Sequence, residues 1–319
     1  EPDFRIDILD KGDSSDSTIL EMSKVFKKLP VCLSALKPDL LLVLGDRYEI
    51  FSSVATSLVK NIPVAHIHGG EVSEGAFDES FRHSITKMSH LHFTSTQEHK
   101  SRVEQLGEDP DLVFNVGAPG VEIIKSLKLL SKKSIQELLK ISFMKNNYLV
   151  TLHPETLEKN MSPKSQIRSL LDALKQQKDC AVVFTKSNSD PGGKIINAEI
   201  DNFVRKNKEW SYLHSSLGQL NYLSLMSHCD AVIGNSSSGL IEAPTLKVPT
   251  VNIGSRQRGR TQSNSVINCE NKVSAILNAI NEISVIDNNL TFNPYDGDNT
   301  SEKIVRIIEE IDLSLILKK

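Results

Sequence analysis

The sequence predicts an α/β protein of two doubly wound domains that face a cleft. Short apolar runs of strand length alternate with segments of helical spacing along the 319 residues, which are enough to form two hydrophobic cores. Strict alternation of strand and helix indicates parallel sheets covered by helices. Ligands of such sheets bind outside the carboxyl ends of the strands, and the polar clusters of this sequence follow strand ends.

The first half of the chain contains four apolar runs that we interpret as buried parallel strands. These runs cover residues 40–45, 62–68, 91–96 and 112–117. Helical spacing is found between them, over residues 48–60, 78–90 and 97–106. Residues 1–125 are therefore predicted to form the first domain.

The second half of the chain repeats this alternation. Its predicted strands cover residues 148–153, 181–185, 212–214, 231–234 and 250–254. The stretch 126–147 is helical, rich in lysine and poor in strand signals, so we place the domain boundary there. Residues 126–299 are predicted to form the second domain. Residues 300–319 are predicted to pack back on the first domain as an amphipathic helix over 301–317.

Composition and charge exclude several classes of function. The hydrophobic fraction of 39% and the charged fraction of 24% are ordinary, and a net charge of −3 gives no reason to expect nucleic acid or an anionic membrane as partner. No apolar run approaches the roughly 20 residues of a membrane-spanning helix, and the first residues do not form a signal peptide. The cysteines lack metal-ligand spacing, which predicts free thiols in a cytoplasmic protein. They are Cys32, Cys180, Cys229 and Cys269.

The most informative segment is an apolar strand followed by Gly234-Asn, three serines, Gly239 and a helix start. Such a loop directs backbone N–H groups and the positive end of a helix dipole at one point, which suits a phosphate. Ser236 to Ser238 could equally cap the helix, and this segment alone leaves both interpretations open. Glu242 lies about one turn into the helix, where a carboxylate can accept both ribose hydroxyls.

Two carboxylates follow the first two strands. Asp46 next to Arg47 is either a helix cap, the commoner case, or an ionised catalytic carboxylate. His66 and His68 lead to Gly-Gly-Glu71, and strand alternation predicts both histidines on one face. Zinc is weakly supported because no third ligand has fitting spacing. The glycine pair indicates backbone that bends or approaches a ligand closely, which would present Glu71 to the cleft.

The segment from Asp78 to His83 reads as a helix start with charged pairs. Asp78 with Arg82, and Glu79 with His83, stand one turn apart. Such pairs are commonly surface contacts worth about 0.3–0.5 kcal/mol. A catalytic role for Asp78 therefore needs support from elsewhere in the chain.

Three later segments also follow predicted strands. His153 stands at a strand end, where Pro154 prevents a helix; a lone histidine is more often structural than catalytic. The turn 185–193, which contains Asn188, is a candidate ligand loop. Three arginines follow the strand at 250–254, either as a surface loop or as a clamp on a diphosphate. They are Arg256, Arg258 and Arg260.

Together these segments resemble the hydrolysing UDP-N-acetylglucosamine 2-epimerases, most closely the bacterial branch that makes precursors of sialic and legionaminic acids. Each motif is modest alone, but their order and joint presence are highly specific and extend over nearly the whole chain. The motifs are Leu44-Gly-Asp-Arg-Tyr-Glu, His66-Ile-His-Gly-Gly-Glu, Asp78-Glu-Ser-Phe-Arg-His-Ser-Ile-Thr-Lys-Met-Ser-His, Phe114-Asn-Val-Gly-Ala-Pro-Gly, Leu152-His-Pro-Glu-Thr, Gly234-Asn-Ser-Ser-Ser-Gly-Leu-Ile-Glu-Ala-Pro and Ile253-Gly-Ser-Arg-Gln-Arg-Gly-Arg. The resemblance implies two Rossmann-like domains of GT-B type with the active site in the cleft between them.

The resemblance also implies a role for each candidate residue. Catalytic roles fall to Asp46, Glu71, Asp78 and His153, and contacts to the UDP-sugar fall to Arg47, Asn188, Ser236, Ser237, Glu242 and Arg256. It implies no cofactor and no metal, and the sequence lacks the Gly-x-Gly-x-x-Gly fingerprint of dinucleotide binding. It further implies a homo-oligomer, either a dimer or a tetramer. Family members begin with a strand that ends in a Gly-Ser/Thr-Arg loop, so we expect about one or two βα units upstream of Glu1.

The reaction implied is hydrolytic epimerisation of UDP-N-acetylglucosamine or a UDP-2,4-diacetamido-trideoxy sugar. UDP leaves C1 as the C2 proton is removed, and the 2-acetamidoglycal then takes water at C1 and a proton on the opposite face of C2. N-acetylmannosamine or its analogue results, and several carboxylates in one site suit the proton transfers. Two alternatives remain open. A GT-B glycosyltransferase needs one base and an acceptor groove, and a non-catalytic nucleotide-sugar-binding protein needs aromatic platforms, whereas aromatic residues are only 5% here.

Overall fold

The computed structural model of the protein describes residues 1–9, 15–72, 78–155, 161–187 and 192–317. The chain divides into two compact units, the first formed by Glu1–Glu122 with Tyr295–Lys319 and the second by Ile123–Pro294. The sequence placed the boundaries at 125/126 and 299/300, and the units of the structure change at 122/123 and 294/295.

The first unit is built around a parallel sheet whose four described strands lie in the order β1-β2-β3-β4. The strands are β1 (Leu41–Leu44), β2 (Val64–Ile67), β3 (Leu91–Thr94) and β4 (Val113–Asn115). The helices up to residue 126 are α1 (Ser15–Leu36), α2 (Tyr48–Val59), α3 (Asp78–Met88), α4 (Gln97–Gln105) and α5 (Pro119–Ser126). The register pairs Leu41 with Val64 and Ala65 with Leu91. The carboxyl ends of these strands, and the residues that follow them, therefore lie along one edge of the sheet.

The second unit contains a parallel sheet whose six described strands lie in the order β10-β9-β8-β5-β6-β7. The strands are β5 (Asn146–Thr151), β6 (Cys180–Thr185), β7 (Ser211–His214), β8 (Ala231–Gly234), β9 (Thr250–Ile253) and β10 (Val266–Cys269). The helices are α6 (Lys132–Leu139), α7 (Pro163–Leu174), α8 (Gly193–Lys206), α9 (Gly218–Met226), α10 (Ser238–Ile241) and α11 (Val273–Ile283). The sequence did not predict β10, because this edge strand is only partly buried and lacks a continuous apolar run.

Both faces of the second sheet are covered, as a doubly wound fold requires. Along β5, Val150 packs into one apolar cluster with α7, α8 and α11, whereas its neighbour Leu149 packs into another cluster with α6 and α9. Val182 and Val183 of β6 divide in the same way. Successive residues of a strand point to opposite faces, so a strand that is apolar at every position is buried on both sides. The predicted α/β class with parallel sheets is confirmed.

The C-terminal segment differs from the single helix predicted over residues 301–317. It forms α12 (Thr300–Glu310) and α13 (Leu313–Ile316). The helix breaks at Ile311, which is extended, and Asp312 starts α13 by accepting a hydrogen bond from the backbone N–H of Ser314. Ile304 of α12 packs into the apolar cluster of β2 and β3 in the first unit. Within the described ranges, no helix is both long and apolar enough to span a membrane.

Candidate active site

Arg82 is the buried centre of the polar cluster at the strand ends of the first unit. It lies on α3 with 3% of its side chain exposed, and it donates hydrogen bonds to the carboxylates of Asp46 and Glu79. The bond to Glu79 is 2.6 Å, and a further bond of 3.0 Å reaches the backbone oxygen of Glu71. A buried guanidinium requires paired acceptors. Arg82 therefore fixes Asp46, which follows β1, against α3.

The cation that pairs with Asp46 is not the neighbouring Arg47, as the sequence had indicated, but Arg82. Arg47, the expected partner, has 64% of its side chain exposed and donates to Glu49 at 2.9 Å. Arg47 has the extended backbone of a helix cap. Side chains that follow one another in extended backbone point in opposite directions, so a sequence neighbour need not be a spatial one. The ion pair of Asp46 instead comes from Arg82 on another element.

Asp78, the first residue of α3, is half-buried close to this cluster. Burial raises the pKa of its carboxyl, and the charge of Asp46 raises the pKa further, while Arg47 and Arg82 lower it. Because the charged form is disfavoured, Asp78 keeps its proton to a higher pH than an exposed aspartate does. A raised pKa makes a carboxyl better suited to donate a proton than an exposed aspartate is.

His66 and His68 do not share a face as predicted. β2 ends at Ile67, and His68 has a left-handed backbone with φ 68°, so strand alternation stops before it. His66 is fully buried, with Nε2 2.9 Å from the Gly45 oxygen and Nδ1 3.2 Å from the Thr86 hydroxyl. Burial lowers the pKa of His66 to about 3, which keeps the ring neutral.

His68 instead begins a chain of hydrogen bonds through Glu71. His68 Nδ1 lies 2.5 Å from Glu71 Oε1, and the Ser95 hydroxyl, after β3, donates to the same oxygen at 2.9 Å. Ser95 Oγ also lies 2.9 Å from His99 Nδ1 on α4. Burial lowers the pKa of His99 to about 4. In the part of the chain that the structure describes, no group of three or more His, Cys, Asp or Glu residues could hold a metal ion.

In the second unit Asn235 connects three loops at the carboxyl ends of the strands. Its side-chain oxygen accepts from the backbone N–H of His153 at 2.7 Å, and its side-chain nitrogen donates to the His153 oxygen at 2.9 Å. Its backbone oxygen accepts from Gln257 at 2.7 Å and from Arg256 at 3.2 Å. The loops after β5, β8 and β9 are thereby fixed to one another.

The serine loop is followed by a much shorter helix than the sequence indicated. α10 has four residues, Ser238–Ile241, and continues into a 3₁₀ turn, Ala243–Leu246, that contains Pro244. Since the macrodipole is a sum over aligned peptides, its contribution to a phosphate site is smaller than expected. Ser237 is the N-cap of α10, but its side chain makes no capping hydrogen bond, and Ser236 Oγ accepts only a long bond of 3.4 Å from the Ser238 N–H. The capping alternative is therefore weakened for Ser237.

Glu242, the C-cap of α10, is tied to the serine loop through Ser238. Burial raises the pKa of the Glu242 carboxyl, and a hydrogen bond with Ser238 lowers it. Ser238 Oγ also lies 2.7 Å from the hydroxyl of Tyr222 on α9, whose pKa burial raises to about 12. The carboxylate is thus held beside the loop rather than projecting freely from a long helix.

Two further predicted residues, His153 and Arg256, lie near the same strand ends. His153 Nδ1 lies 3.3 Å from the hydroxyl of Ser187, which follows β6, and Asn188 lies outside the described residues. Of the three arginines, Arg256 bonds to the Asn235 backbone and Arg258 is exposed. A cavity of about 620 Å³ lies beside Glu155, Ser255 and Arg258. Its described lining contains none of the residues that the resemblance assigns to catalysis or to substrate binding.

The structure adds residues that the sequence analysis missed. The helical spacing of Arg82 predicts a surface pair, because that spacing gives no sign of burial. Ser95 follows the end of β3 much as Asp46 follows the end of β1, so its position after a strand could have marked it as a site residue. Asn235 was treated only as part of the serine loop. Tyr222 and His99 lie within helices, where no local pattern separates a site residue from a core residue.

Comparison with known proteins agrees with this description. A family model described as UDP-N-acetylglucosamine 2-epimerase matches residues 1–309. The chain is 42% identical over 266 residues to the hydrolyzing GDP/UDP-N,N'-diacetylbacillosamine 2-epimerase of Campylobacter jejuni, covering 83% of this chain and 69% of that protein. It is 45% identical over 279 residues to the polysialic acid biosynthesis protein P7 of Escherichia coli, covering 85% and 70%.

A solved structure shares the fold. The crystal structure of the Neisseria meningitidis UDP-GlcNAc 2-epimerase bound to UDP-GlcNAc matches with a TM-score of 0.81 at 18% identity, over 98% of this chain and 86% of that one. At this identity the likeness establishes the fold alone. The family match, which extends over almost the whole sequence, and the relatives above 40% identity establish more: the chain belongs to the UDP-N-acetylglucosamine 2-epimerase family.

Proposed function

We propose that the protein is a hydrolysing 2-epimerase that converts UDP-N-acetylglucosamine, or a UDP-2,4-diacetamido-trideoxy sugar, to UDP and the 2-epimeric free sugar. The observation that carries the proposal is the cluster of Asp46, Asp78 and the His68–Glu71 pair around Arg82 in the first unit. Epimerisation at C2 needs one group to remove a proton and another to return one, and this cluster offers several. The hydrolyzing relative from Campylobacter jejuni supports the same reaction type.

In the proposed reaction UDP leaves C1 as the C2 proton is removed. The electron pair of the C2–H bond forms the C1–C2 double bond, and the pair of the C1–O bond departs with UDP. Water then adds its hydroxyl to C1, and C2 receives a proton on the face opposite to the first removal. Asp78 suits the return of that proton, because its raised pKa keeps the carboxyl protonated to a higher pH.

We assign the nucleotide to the loops of the second unit. Ser236, Ser237 and Arg256 hold the diphosphate, and Glu242 accepts the ribose hydroxyls. The support is their common location near the strand ends joined by Asn235. In addition, the side chain of Ser237 makes no capping hydrogen bond, so its hydroxyl is available to a phosphate. Charge-assisted bonds to phosphate oxygens stabilise the departing UDP. His153 stays a predicted catalytic residue, and Arg47 and Asn188 stay predicted contacts to the UDP-sugar. A cytoplasmic homo-oligomer stays a prediction as well.

One product assay with two substrates separates this proposal from its alternatives. Purified protein is mixed with UDP-N-acetylglucosamine and, separately, with UDP-N,N'-diacetylbacillosamine, and the products are identified by NMR. Free UDP with the 2-epimeric sugar supports the hydrolysing epimerase. UDP release that requires an added acceptor indicates a glycosyltransferase, no turnover of either substrate indicates a binding protein, and an epimer still attached to UDP indicates a non-hydrolysing enzyme.

A further inference from the structure

We infer that His68 is the catalytic base of the sugar chemistry, and that Glu71 is a positioning residue that orients it. The inference rests on the proposed function and deepens it, since the resemblance assigned catalysis to Glu71 itself. It follows from which atoms are occupied by internal hydrogen bonds and which are left to a substrate.

Glu71 is poorly placed to touch a substrate. Only 9% of its side chain is exposed, and Oε1 accepts hydrogen bonds from both His68 Nδ1 at 2.5 Å and Ser95 Oγ at 2.9 Å. A carboxylate oxygen that accepts two such bonds is committed to its protein partners. With Oε1 engaged in this way, the role we infer for Glu71 is electrostatic and orientational, as for the carboxylate that fixes a catalytic imidazole.

His68 has the opposite arrangement. Its side chain is 17% exposed, and Nδ1 faces the Glu71 carboxylate, which can only accept. The proton of the neutral ring therefore lies on Nδ1, and Nε2 carries the free lone pair. Among the described residues no group bonds to Nε2, and Nε2 is absent from their buried, unpartnered atoms. Nε2 is thus the atom of this pair that a substrate can reach.

The backbone holds the imidazole in place through a packed turn. His68 has φ 68° and Gly70 has φ 77°, so the chain reverses directly after β2. A Cβ on Gly70 would lie 2.3 Å from the His99 oxygen, and Arg102 donates to the Gly70 oxygen. Left-handed backbone at a residue with a side chain is uncommon and persists where its surroundings impose it. Here α4 imposes it.

Two hydrogen bonds in sequence, from His99 to Ser95 and from Ser95 to Glu71, run toward the Glu71 carboxylate. Ser95 has one hydroxyl proton and gives it to Glu71, so its oxygen accepts from His99 Nδ1 at 2.9 Å. His99 is neutral at neutral pH because burial lowers its pKa to about 4. Two donors thus converge on one carboxylate oxygen. The carboxylate stabilises positive charge on His68 when Nε2 takes a proton.

Other titratable groups around the His68–Glu71 pair lie on the neighbouring elements. His66 on β2 and His99 on α4 interact with His68, while Arg82 on α3 and Arg102 on α4 donate to the backbone oxygens of Glu71 and Gly70. His66 and His99 are neutral, and Arg82 is paired with Asp46 and Glu79. Glu71 is the carboxylate in direct contact with the ring.

In the step assigned to His68, Nε2 takes the C2 proton. The electron pair of the C2–H bond becomes the second bond between C1 and C2, and UDP departs with the electron pair of the C1–O bond. The imidazolium then releases its proton to solvent. Water supplies the hydroxyl at C1, its proton goes to solvent, and the acid on the opposite face supplies the new C2 proton.

The backbone of residue 68 suggests a matched pair of variants. His68→Gly removes the imidazole at a φ that glycine adopts without strain, and it leaves space for an added imidazole. His68→Asn also tolerates left-handed backbone but fills part of that space with a side chain that is not a base. Both variants are first checked for unchanged melting temperature and UDP affinity.

The experiment measures turnover of UDP-N-acetylglucosamine and UDP-N,N'-diacetylbacillosamine with and without imidazole. We expect both variants to lose about 10²-fold or more in kcat with little change in KM. Imidazole should restore His68→Gly at least about tenfold but not His68→Asn, as for a missing general base. Retained kcat in His68→Gly, or imidazole that raises neither variant or both equally, overturns the inference. A wild-type protein without turnover refutes the proposed function instead.

Glu71→Gln and Glu71→Ala together test the positioning role. The amide oxygen of glutamine can still accept the hydrogen bond from His68 Nδ1, whereas alanine offers no acceptor. We therefore expect Glu71→Gln to keep a clearly larger kcat than Glu71→Ala, with similar KM in the two folded variants. An equal loss of kcat in both variants means that Glu71 itself transfers the proton, and that result overturns the assignment.

Discussion

Arg82 shows, at the scale of single residues, how a buried cation organises a site. It brings together the end of β1, the loop after β2 and the first turn of α3 by bonding to Asp46, the Glu71 backbone and Glu79. The spacing of Arg82 on its helix was visible in the sequence, but its burial depends on elements distant in the chain. An arginine in a surface ion pair and an arginine buried among several acceptors therefore have the same spacing in the sequence.

Asp46 and Asp78 should act on the sugar and not on the nucleotide. We expect Asp46→Asn and Asp78→Asn each to lower kcat by about 10²-fold or more, because each removes a group that exchanges or stabilises a proton. UDP affinity, measured by calorimetry on the same samples, should change little. Near-normal turnover in both variants would remove the carboxylate cluster from the mechanism.

His66 should make stability depend on pH in a defined direction. Its pKa is about 3 in the folded protein, so between that pH and about 6.5 the unfolded chain binds a proton that the folded protein does not. The free energy of unfolding should therefore rise with pH in this window, by up to roughly 1.4 kcal/mol per pH unit from this residue.

The measurement for His66 is urea unfolding from about pH 4 to 7. His66→Gln can still donate to the Gly45 oxygen but does not titrate, so its slope against pH should be shallower than that of the wild-type protein. Equal slopes would mean that His66 is not kept neutral by burial.

At the scale of elements, the turn after β8 depends on Gly234. Its φ is 142°, and a Cβ would lie 1.9 Å from the Thr151 oxygen. We expect Gly234→Ala to lower the free energy of unfolding by roughly 2–5 kcal/mol and to weaken UDP binding, because the collision moves the serine loop.

Gly120 provides the matched control in α5. A Cβ there has no atom within 4 Å and φ is not positive, so Gly120→Ala should leave the free energy of unfolding unchanged or raise it by up to about 1 kcal/mol. Equal effects of the two substitutions in denaturant unfolding would contradict the account of this turn.

The elements that could be predicted from the sequence are those with a continuous apolar run. β2 and β8 are buried at every position, so their patterns were complete. β10 was missed because an edge strand buries little, and α10 was overestimated because Pro244 sits where the helix would continue. The break at Ile311 could not be read because the apolar spacing continues through it. Local sequence patterns indicate which residues are buried. The exceptions, which are β10, α10 and the break at Ile311, depend on the residues and elements that lie beside them.

At the scale of the whole molecule, the alternation of strand and helix correctly predicted that the polar motifs would gather at strand ends. Asp46, Asp78 and Glu71 gather in the first unit, and His153, Ser237 and Glu242 lie at the strand ends of the second. Which atoms point inward could not be predicted. The division of labour between His68 and Glu71 depends on Ser95 and on a left-handed residue, and neither leaves a pattern in the sequence.

Glu242 should bind the ribose of the nucleotide. We expect Glu242→Gln to weaken UDP binding by roughly 1–3 kcal/mol, the range of a hydrogen bond to a charged group. Glu137→Gln on the surface of α6, where the side chain is 69% exposed, should leave the affinity unchanged. Calorimetry with UDP measures both, and equal affinities in the two folded variants would place Glu242 outside the nucleotide site.

The central claim is that the sugar passes through an elimination at C1 and C2 followed by addition of water. The most direct measurement is NMR and mass analysis of the products formed from a UDP-2-acetamido sugar in D₂O. We predict free UDP and a 2-epimeric sugar that carries one deuterium at C2, because the C2 proton is exchanged with solvent. A free epimer that keeps the original C2 proton would contradict the elimination, and an epimer that remains attached to UDP would contradict the hydrolysis.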